Sequence, residues 1–328
     1  MNILIEDKTA LLPAKKYGGT ERVIWGLGKE LSKLGHKIYF LAKEGSSSDF
    51  ATVLVYDENK TLQDQIPADV DVVHLFNTLN QAVGKPYIFT MEGNPSPDQL
   101  LDINMVFVSG NHAKRYGSTA FVYNGIDWDD YPDPILDNDR KYLHFLAKAS
   151  WKVKNLFGTA DIALKSGNKL HVMGGERWTF RNFKRGLKYI LNKNIIFHGM
   201  VENDKKMEVA QHSKALVFPV VWHEPFGIAI TESMYAGCAV FGTKNGSLPE
   251  LIKSEVGFTG TNADEIAKAV REFDYNPKRC HEYAVKYFNS KVMTESYLKL
   301  YEKVISGETI NNEVPKYIDS ENIVPKFN

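Results

Sequence analysis

The sequence predicts an α/β protein made of two successive domains with mostly parallel sheets, and three observations predict it. The chain has 328 residues, about two domains at ~150 residues each, and its 43% apolar content is ample for folded cores. Short β-branched and aromatic runs alternate with helical patterns along nearly the whole length, as βα units do. An aspartate- and proline-rich polar stretch, "NGIDWDDYPDPILDNDRK", interrupts the alternation and reads as a linker between domains.

Taken in order, the first half offers the strand "NILIE", a helix over 21–34, and the strands "KIYFLAK", "TVLVY", "DVVHLF", "PYIFTM", "MVFVS" and "AFVY". Beyond the linker come "YLHFLAK", a helix over 156–165, "KLHVMGG", a basic helical stretch, "IIFHG", a helix over 202–213, and "ALVFPVV". After Gly242 the pattern is helical near 263–273, 278–288 and 291–305, the last of these amphipathic. The last stretch repeats "VPK" in polar surroundings and reads as a loosely held tail. The expected boundaries are therefore 1–140, 141–289, a closing helix over 290–306, and a tail over 307–328.

Composition excludes several classes. Forty basic and forty acidic side chains cancel, so no global field draws the chain to nucleic acid. No run of ~18 apolar residues exists, and "MNILIEDKTALL" lacks the basic and apolar regions of a secretory signal. Cys238 and Cys280 form no CxxC spacing, which together with the missing signal gives a cytoplasmic expectation. The basic stretch "RNFKRGLKYILNKN", with Arg181, Lys184, Arg185 and Lys188, reads first as a solvated face. Its second reading is a peripheral contact with anionic lipid at the inner membrane face, or with a charged acceptor.

In open α/β sheets ligands collect at the carboxyl ends of strands, which singles out three loops. In "KKYGGTER", Gly18 and Gly19 remove two Cβ atoms before a helix start, so backbone could approach a phosphate or sugar; a tight turn with positive φ explains the glycines equally well. Neither this loop nor "GLGKEL" is a GxGxxG fingerprint. In "FLAKASWKVKN", Lys148 and Lys154 could grip a diphosphate without a metal, although loop lysines are usually solvated. "MGGER" reads as a turn.

The third loop is "VVWHEPFGIAITESMYAGCAVFG". Glu224 sits where a strand ends, and Phe226, Gly227, Ile228 and Ala229 offer amides at a helix N-terminus. Glu232 follows two turns into the helix, about 12 Å along the axis at ~1.5 Å per residue. That is too far for a retaining hydrolase pair at ~5 Å, and it suits a grip on two ends of one ligand. Helix electrostatics alone also accounts for both glutamates. His223-Glu224 is not HExxH, because position 227 is glycine. "DVD" over 69–71 and "DWD" over 127–129 match a metal-binding DxD string, and both read as chance matches at a strand edge and in an aspartate-rich linker.

Together these pieces resemble the retaining glycosyltransferases of the GT-B fold, glycosyltransferase family 4 in particular. "EPFGIAITE" resembles the family's E-x7-E signature, and "YGGTERV", "FVSGNHAK", "VYNGID", "LAKASWKVKN", "HGMV" and "GSLPELI" fall in the family's order from Met1 to about Ile305. The resemblance implies two Rossmann-like domains facing a central cleft, with a C-terminal helix carrying Tyr297 and Tyr301 back to the N-terminal, acceptor-side domain. It implies Glu224 on the donor-sugar hydroxyls, Glu232 on the ribose, the Phe226 to Ala229 amides on sugar and phosphate, and Lys148 with Lys154 on the leaving diphosphate. Gly18 and Gly19 would lie against phosphates and acceptor, and the backbone of Met200 and Val201 against the base.

By the same likeness the reaction moves a sugar from a nucleotide-diphosphate sugar to a hydroxyl of a glycan, glycolipid or polysaccharide precursor. It is metal-independent, uses no cofactor, and retains configuration by front-face attack, the departing phosphate taking the acceptor proton. Bacterial surface polysaccharide assembly is plausible on that basis alone. A non-catalytic nucleotide-sugar or carbohydrate-binding protein and a GT-B sugar-nucleotide epimerase are the alternatives. The chain departs from the family pattern at Glu92, where many members have a histidine near the donor sugar; a carboxylate there could bind a hydroxyl or favour an amino sugar. It departs again at Asn155, where a glycine is common after the phosphate lysine.

Overall fold

A computed structural model describes residues 1–14, 18–77, 81–178 and 186–327. The chain divides into two compact units, the first formed by Met1–Trp128 with Phe288–Asn322 and the second by Asp129–Tyr287 with a short C-terminal piece from Ile323. Residues 129–140, assigned above to the first domain, thus cluster with the second unit.

The first unit holds one parallel sheet in the order β3-β2-β1-β4-β5-β6. Its strands are β1 (Asn2–Asp7), β2 (Lys37–Ala42), β3 (Thr52–Val55), β4 (Val72–Leu75), β5 (Tyr87–Met91) and β6 (Met105–Phe107). β1, β2, β4 and β5 are buried almost throughout, as strands covered on both faces must be, whereas edge strand β3 is partly exposed. Helix Gly19–Lys33 packs on β2 through Gly28, where a Cβ would stand 2.4 Å from the Phe40 ring. The glycines of "GLGKEL" therefore serve packing, which is why no nucleotide fingerprint accompanies them.

Helix Ser290–Ile305 belongs to this unit, and its apolar stripe carries Tyr297 and Tyr301 into the core. The Tyr301 hydroxyl lies 2.8 Å from His74 Nδ1, His74 Nε2 lies 2.7 Å from Thr90 Oγ1, and Thr90 lies 2.9 Å from the Tyr297 hydroxyl. This buried chain fastens the helix to β4 and β5, and burial drives the His74 pKa well down, so the ring stays neutral.

The second unit repeats the topology, with the order β12-β11-β10-β7-β8-β9. Its strands are β7 (Tyr142–Leu146), β8 (Leu170–Met173), β9 (Ile195–Phe197), β10 (Ser213–Phe218), β11 (Ala239–Thr243) and β12 (Gly257–Gly260). All pairings are parallel. In each unit the strand order reverses beside the first strand, between β1 and β4 and between β7 and β10, which is where doubly wound sheets bind ligands.

Three local expectations change. "AFVY" contributes only a single bridge, Phe107 to Phe121, because the chain turns off at Asn124-Gly125, where Gly125 lies too close to the Asn289 carbonyl for any side chain. The helix expected over 202–213 ends at Ala210, and Ser213 already belongs to β10. Of the segment read as a loose tail, the part up to Asn322 is pinned to the first unit. Asn311 bonds the carbonyls of Ile103 and Met105, Lys316 and Ile318 donate to the carbonyls of Tyr116 and Arg115, and Tyr317 packs edge-on against Tyr116. Among the described residues no helix is long and apolar enough to cross a membrane.

Candidate functional site

The second unit places four of the singled-out segments at the carboxyl ends of β7, β8, β9 and β10. Lys148 and Lys154 follow β7, and Glu224 follows β10. Lys154 lies in a 3-10 turn, Lys152–Lys154, and its 7% exposure is exceptional for a lysine. Its Nζ stands 2.8 and 2.7 Å from the two Glu224 carboxylate oxygens, in a fully bidentate pair. Trp222 Nε1 donates to Glu224 Oε2 at 2.7 Å, and the lysine ammonium sits 4.7 Å from the Trp222 ring centroid and 5.2 Å from that of Phe218. A buried charge persists only when paired, and each partner here supplies the other's.

Asn155 explains how Lys154 is aimed. Its φ of 53° lies in the left-handed region, open to glycine and, among side chains, chiefly to asparagine. Its Oδ1 caps helix Leu156–Lys165 by accepting from the Gly158 amide, and its Nδ2 donates to the Pro219 carbonyl. The departure from glycine keeps the turn and adds two anchors. The Val221 amide donates to the Val153 carbonyl at 2.8 Å, joining the lysine loop to the Glu224 loop.

Gly227, with φ of 97°, starts helix Ile228–Tyr235, and no side chain caps it. Glu232 is the fifth residue of this helix, little more than one turn in, so the 12 Å expected from an uninterrupted helix does not apply. Glu232 is 7% exposed. The Tyr131 hydroxyl donates to its Oε1 at 2.5 Å, and Lys206 pairs with the same oxygen while lying 5.2 Å over the Tyr131 ring. Neither Tyr131 nor Lys206 stands out in the sequence. Tyr131 belongs to the presumed linker and Lys206 to an ordinary-looking helix, Asn203–Ala210; only their burial marks them. The next residue, Ser233, is held by His144 Nε2 at 2.9 Å, and His144 Nδ1 meets Ser213 Oγ at 2.8 Å. Burial pushes the His144 pKa down to about 3, so it is a neutral strut.

"GSLPELI" has a definite task. Gly246, with φ of 65°, passes so close to Glu224 that a Cβ would stand 2.3 Å from that residue's amide nitrogen and carbonyl oxygen. The Ser247 amide donates to the Glu224 carbonyl at 2.9 Å, and its hydroxyl donates to the Phe226 carbonyl at 2.6 Å. Thr243 and Asn245 side chains both donate to the Val220 carbonyl. "MGGER" is likewise more than a turn: a Cβ on Gly174, φ 109°, would stand 2.0 Å from the Ala147 carbonyl, and the Gly174 amide donates to Gly199 in "HGMV".

Lys148 is not gathered into this cluster; it is exposed and stands 5.5 Å over the Trp151 ring. Met200 is exposed and Val201 half-buried, just beyond β9. Gly18, Gly19 and Glu92 belong to the first unit. Gly18 has an extended φ of 176°, so a positive-φ turn does not explain it; a Cβ there would meet the Glu21 carboxylate at 2.6 Å. Lys15, Lys16 and Tyr17 of that loop, and Arg181, Lys184 and Arg185 of the basic stretch, lie outside the described residues. The aspartates that open the two DxD strings are both engaged by side chains of the first unit. Asp69 bonds Lys37, Tyr39 and Asn2 at the amino end of the first sheet, and Asp127 pairs with Lys29. Among the described residues no group of three or more His, Cys, Asp or Glu forms a metal site.

Residues 136–287, which contain Lys148, Lys154, Lys206, Glu224 and Glu232 but not Tyr131, match the family model described as glycosyl transferases group 1. The chain's sequence relatives include an uncharacterized 42.6 kDa protein in the cps region of Klebsiella pneumoniae, 28% identical over 185 residues, covering 55% of this chain and 45% of that one. An uncharacterized glycosyltransferase of Methanocaldococcus jannaschii is 29% identical over 169 residues, covering 45% and 43%. The match spans less than half the length of either relative. Among solved structures, AviGT4, a glycosyltransferase involved in avilamycin A biosynthesis, has a TM-score of 0.76 at 20% identity over 94% of this chain and 99% of that one. HepE of Anabaena, solved with UDP-glucose, has a TM-score of 0.62 at 15% identity, covering 93% and 100%. The fold is GT-B, and the residues that match the family model lie in its second Rossmann-like unit.

Proposed function

We propose that the protein is a retaining, metal-independent glycosyltransferase of family 4 type, moving a sugar from a nucleotide-diphosphate sugar to a hydroxyl acceptor. One observation carries the proposal: the buried, lysine-paired carboxylates Glu224 and Glu232 flank an uncapped helix start at the switch point of the second unit. Glu232, held by Lys206 and Tyr131, presents its remaining acceptor capacity to vicinal ribose hydroxyls. Glu224 does the same for the donor sugar, and the Phe226 to Ala229 amides serve sugar and phosphate oxygens. Lys154 and the exposed Lys148 are assigned to the departing diphosphate, where two cations offset the charge that builds as the glycosidic bond breaks. Met200 and Val201 are assigned to the base, and Gly18, Gly19 and Glu92 to the phosphates, acceptor and sugar, on the resemblance.

The chemistry is front-face attack. The acceptor oxygen bonds to the anomeric carbon on the face the diphosphate leaves, and a phosphate oxygen takes the acceptor proton. The protein then supplies position and electrostatics with no covalent intermediate. HepE of Anabaena, solved with UDP-glucose, supports a nucleotide-sugar substrate, and a surface-polysaccharide acceptor rests on the family resemblance alone. A cytoplasmic site of action, with peripheral contact at the membrane face, belongs to the same reading.

Incubation with UDP-, GDP- and ADP-sugars, with and without chelator and hydroxyl acceptors, tests this. Nucleotide release in chelator, with the anomeric configuration of the product kept by NMR, is expected. Tight binding without turnover across the panel would instead indicate a binding protein, and donor conversion without acceptor an epimerase.

A further inference from the structure

The first unit gathers three carboxylates at the carboxyl end of its sheet. Glu92 directly follows β5, Asp7 closes β1, and Glu21 stands in the first turn of helix Gly19–Lys33. Asn124, only 1% exposed, donates its Nδ2 to Glu92 Oε2 at 2.7 Å. When Glu92 is ionised it fixes the orientation of that amide, because an amide oxygen turned toward the carboxylate would be repelled. Glu92 Oε1 and Asn124 Oδ1 are then both shielded from solvent, and among the described residues neither accepts a hydrogen bond. A folded protein rarely leaves two neighbouring buried acceptors without a donor unless something else supplies one.

Charge points the same way. Asp7 is committed to its own loop, where Oδ1 accepts from the Thr9 amide and hydroxyl, and Glu21 accepts from its own amide. Both still act on Glu92. Burial, then these two like charges, push its carboxyl up to about 7, against the lowering effect of Asn124; Tyr297 is the further titratable group coupled to it. A Cβ at the next residue, Gly93, would meet nothing within 4 Å, so the backbone beside Glu92 is open to an approaching group.

We infer that Glu92 and Asn124 form a subsite for an ammonium-bearing sugar, carried either by the donor's glycosyl unit or by the acceptor. This rests on the glycosyltransferase reading. An ammonium brings three donors and a positive charge, enough to satisfy both orphan oxygens and to balance the carboxylates around them. A hydroxyl brings one donor and no charge. An acetamido group brings one N–H and a carbonyl oxygen that would face the carboxylates.

The test uses the whole protein at pH 7. Affinity is measured first for UDP, GDP and ADP. With the best nucleotide, the glucosamine, glucose and N-acetylglucosamine forms are compared as donors in one arm, and the free sugars as acceptors in the other. The expected result is at least a tenfold preference for the amine in one arm, which also identifies its source. Glu92→Gln, with folding checked by its circular dichroism spectrum and thermal melt, should abolish that preference. Nucleotide binding by the wild type with no amine preference in either arm overturns the inference and leaves the function standing, and so does a preference that survives in Glu92→Gln. Absence of any nucleotide binding by the wild type overturns the function itself.

Discussion

Replacing Lys154 by methionine removes one half of a buried ion pair and keeps most of the side-chain volume. The ammonium lies 2.7 Å from the nearer Glu224 oxygen, and only 8% and 7% of the two side-chain surfaces are exposed. Coulomb's law at an effective dielectric of ~20 gives an attraction of about 6 kcal/mol at that distance. Desolvation of both ions offsets most of it, so the intact pair adds little net stability, but removing one partner strands the other at a cost of about 3–5 kcal/mol. Lys154→Met should fall near the lower end, because Trp222 still donates to Glu224 Oε2. Glu224→Gln should be softened in turn by the Trp222 and Phe218 faces that remain beneath the ammonium. The double variant should cost about 2 kcal/mol less than the sum of the singles. Urea unfolding followed by tryptophan fluorescence measures all four proteins. Single-variant losses that simply add, within about 0.5 kcal/mol, would refute a buried pair at this position.

Glu232→Gln and Lys206→Met should each weaken nucleotide affinity by about tenfold, roughly 1.4 kcal/mol, in a titration; unchanged affinity in both would remove Glu232 from the donor site. Gly246→Ala should cost about 2–4 kcal/mol in unfolding experiments, from a strained backbone and a clash with Glu224, and should abolish sugar transfer. Asn155→Gly should stay within about 1 kcal/mol of wild type, whereas Asn155→Val, β-branched at a positive φ, should lose about 2 kcal/mol or more. Acid should destabilise the second unit through His144. Its pKa is lowered in the folded state to about 3, so between about 6.5 and 3 the unfolded chain binds a proton that the folded one does not. Stability then falls with pH by up to about 1.4 kcal/mol per unit, and His144→Gln should flatten the slope. Glu92, whose pKa is raised to about 7, runs the other way between about 7 and 4.5, so the comparison is best made in a Glu92→Gln background.

The βα alternation was legible because strands buried on both faces must be apolar runs, and helix 156–165 was located to the residue by the pattern between Asn155 and Gly167. β11 and β12 escaped: "AVFGT" follows a helix with no polar break, and "GFTG" has too few β-branched residues to announce a strand. In the site, Glu224, Lys154 and the glycines could be picked out because strand ends and local spacing expose them. Their mutual pairing could not, since Lys154 and Glu224 stand 70 positions apart in sequence. Tyr131 and Lys206 were hidden for the same reason. A lysine in an amphipathic helix and a tyrosine in a polar stretch look solvated until tertiary packing removes the water. The tail misled because its anchors are backbone hydrogen bonds to Ile103, Arg115 and Tyr116, which composition does not record.

The close passage of Gly246 against Glu224 has an evolutionary reading. Two short segments separated by about twenty positions are fitted to each other through backbone atoms, so neither can drift alone. A larger residue at 246 would require a different path at 224, and a shifted 224 would leave the Ser247 amide with nothing to bind. The pair should be inherited as a block, and chimeras that cross over between Phe226 and Gly246 should succeed only when both parents carry the same two segments.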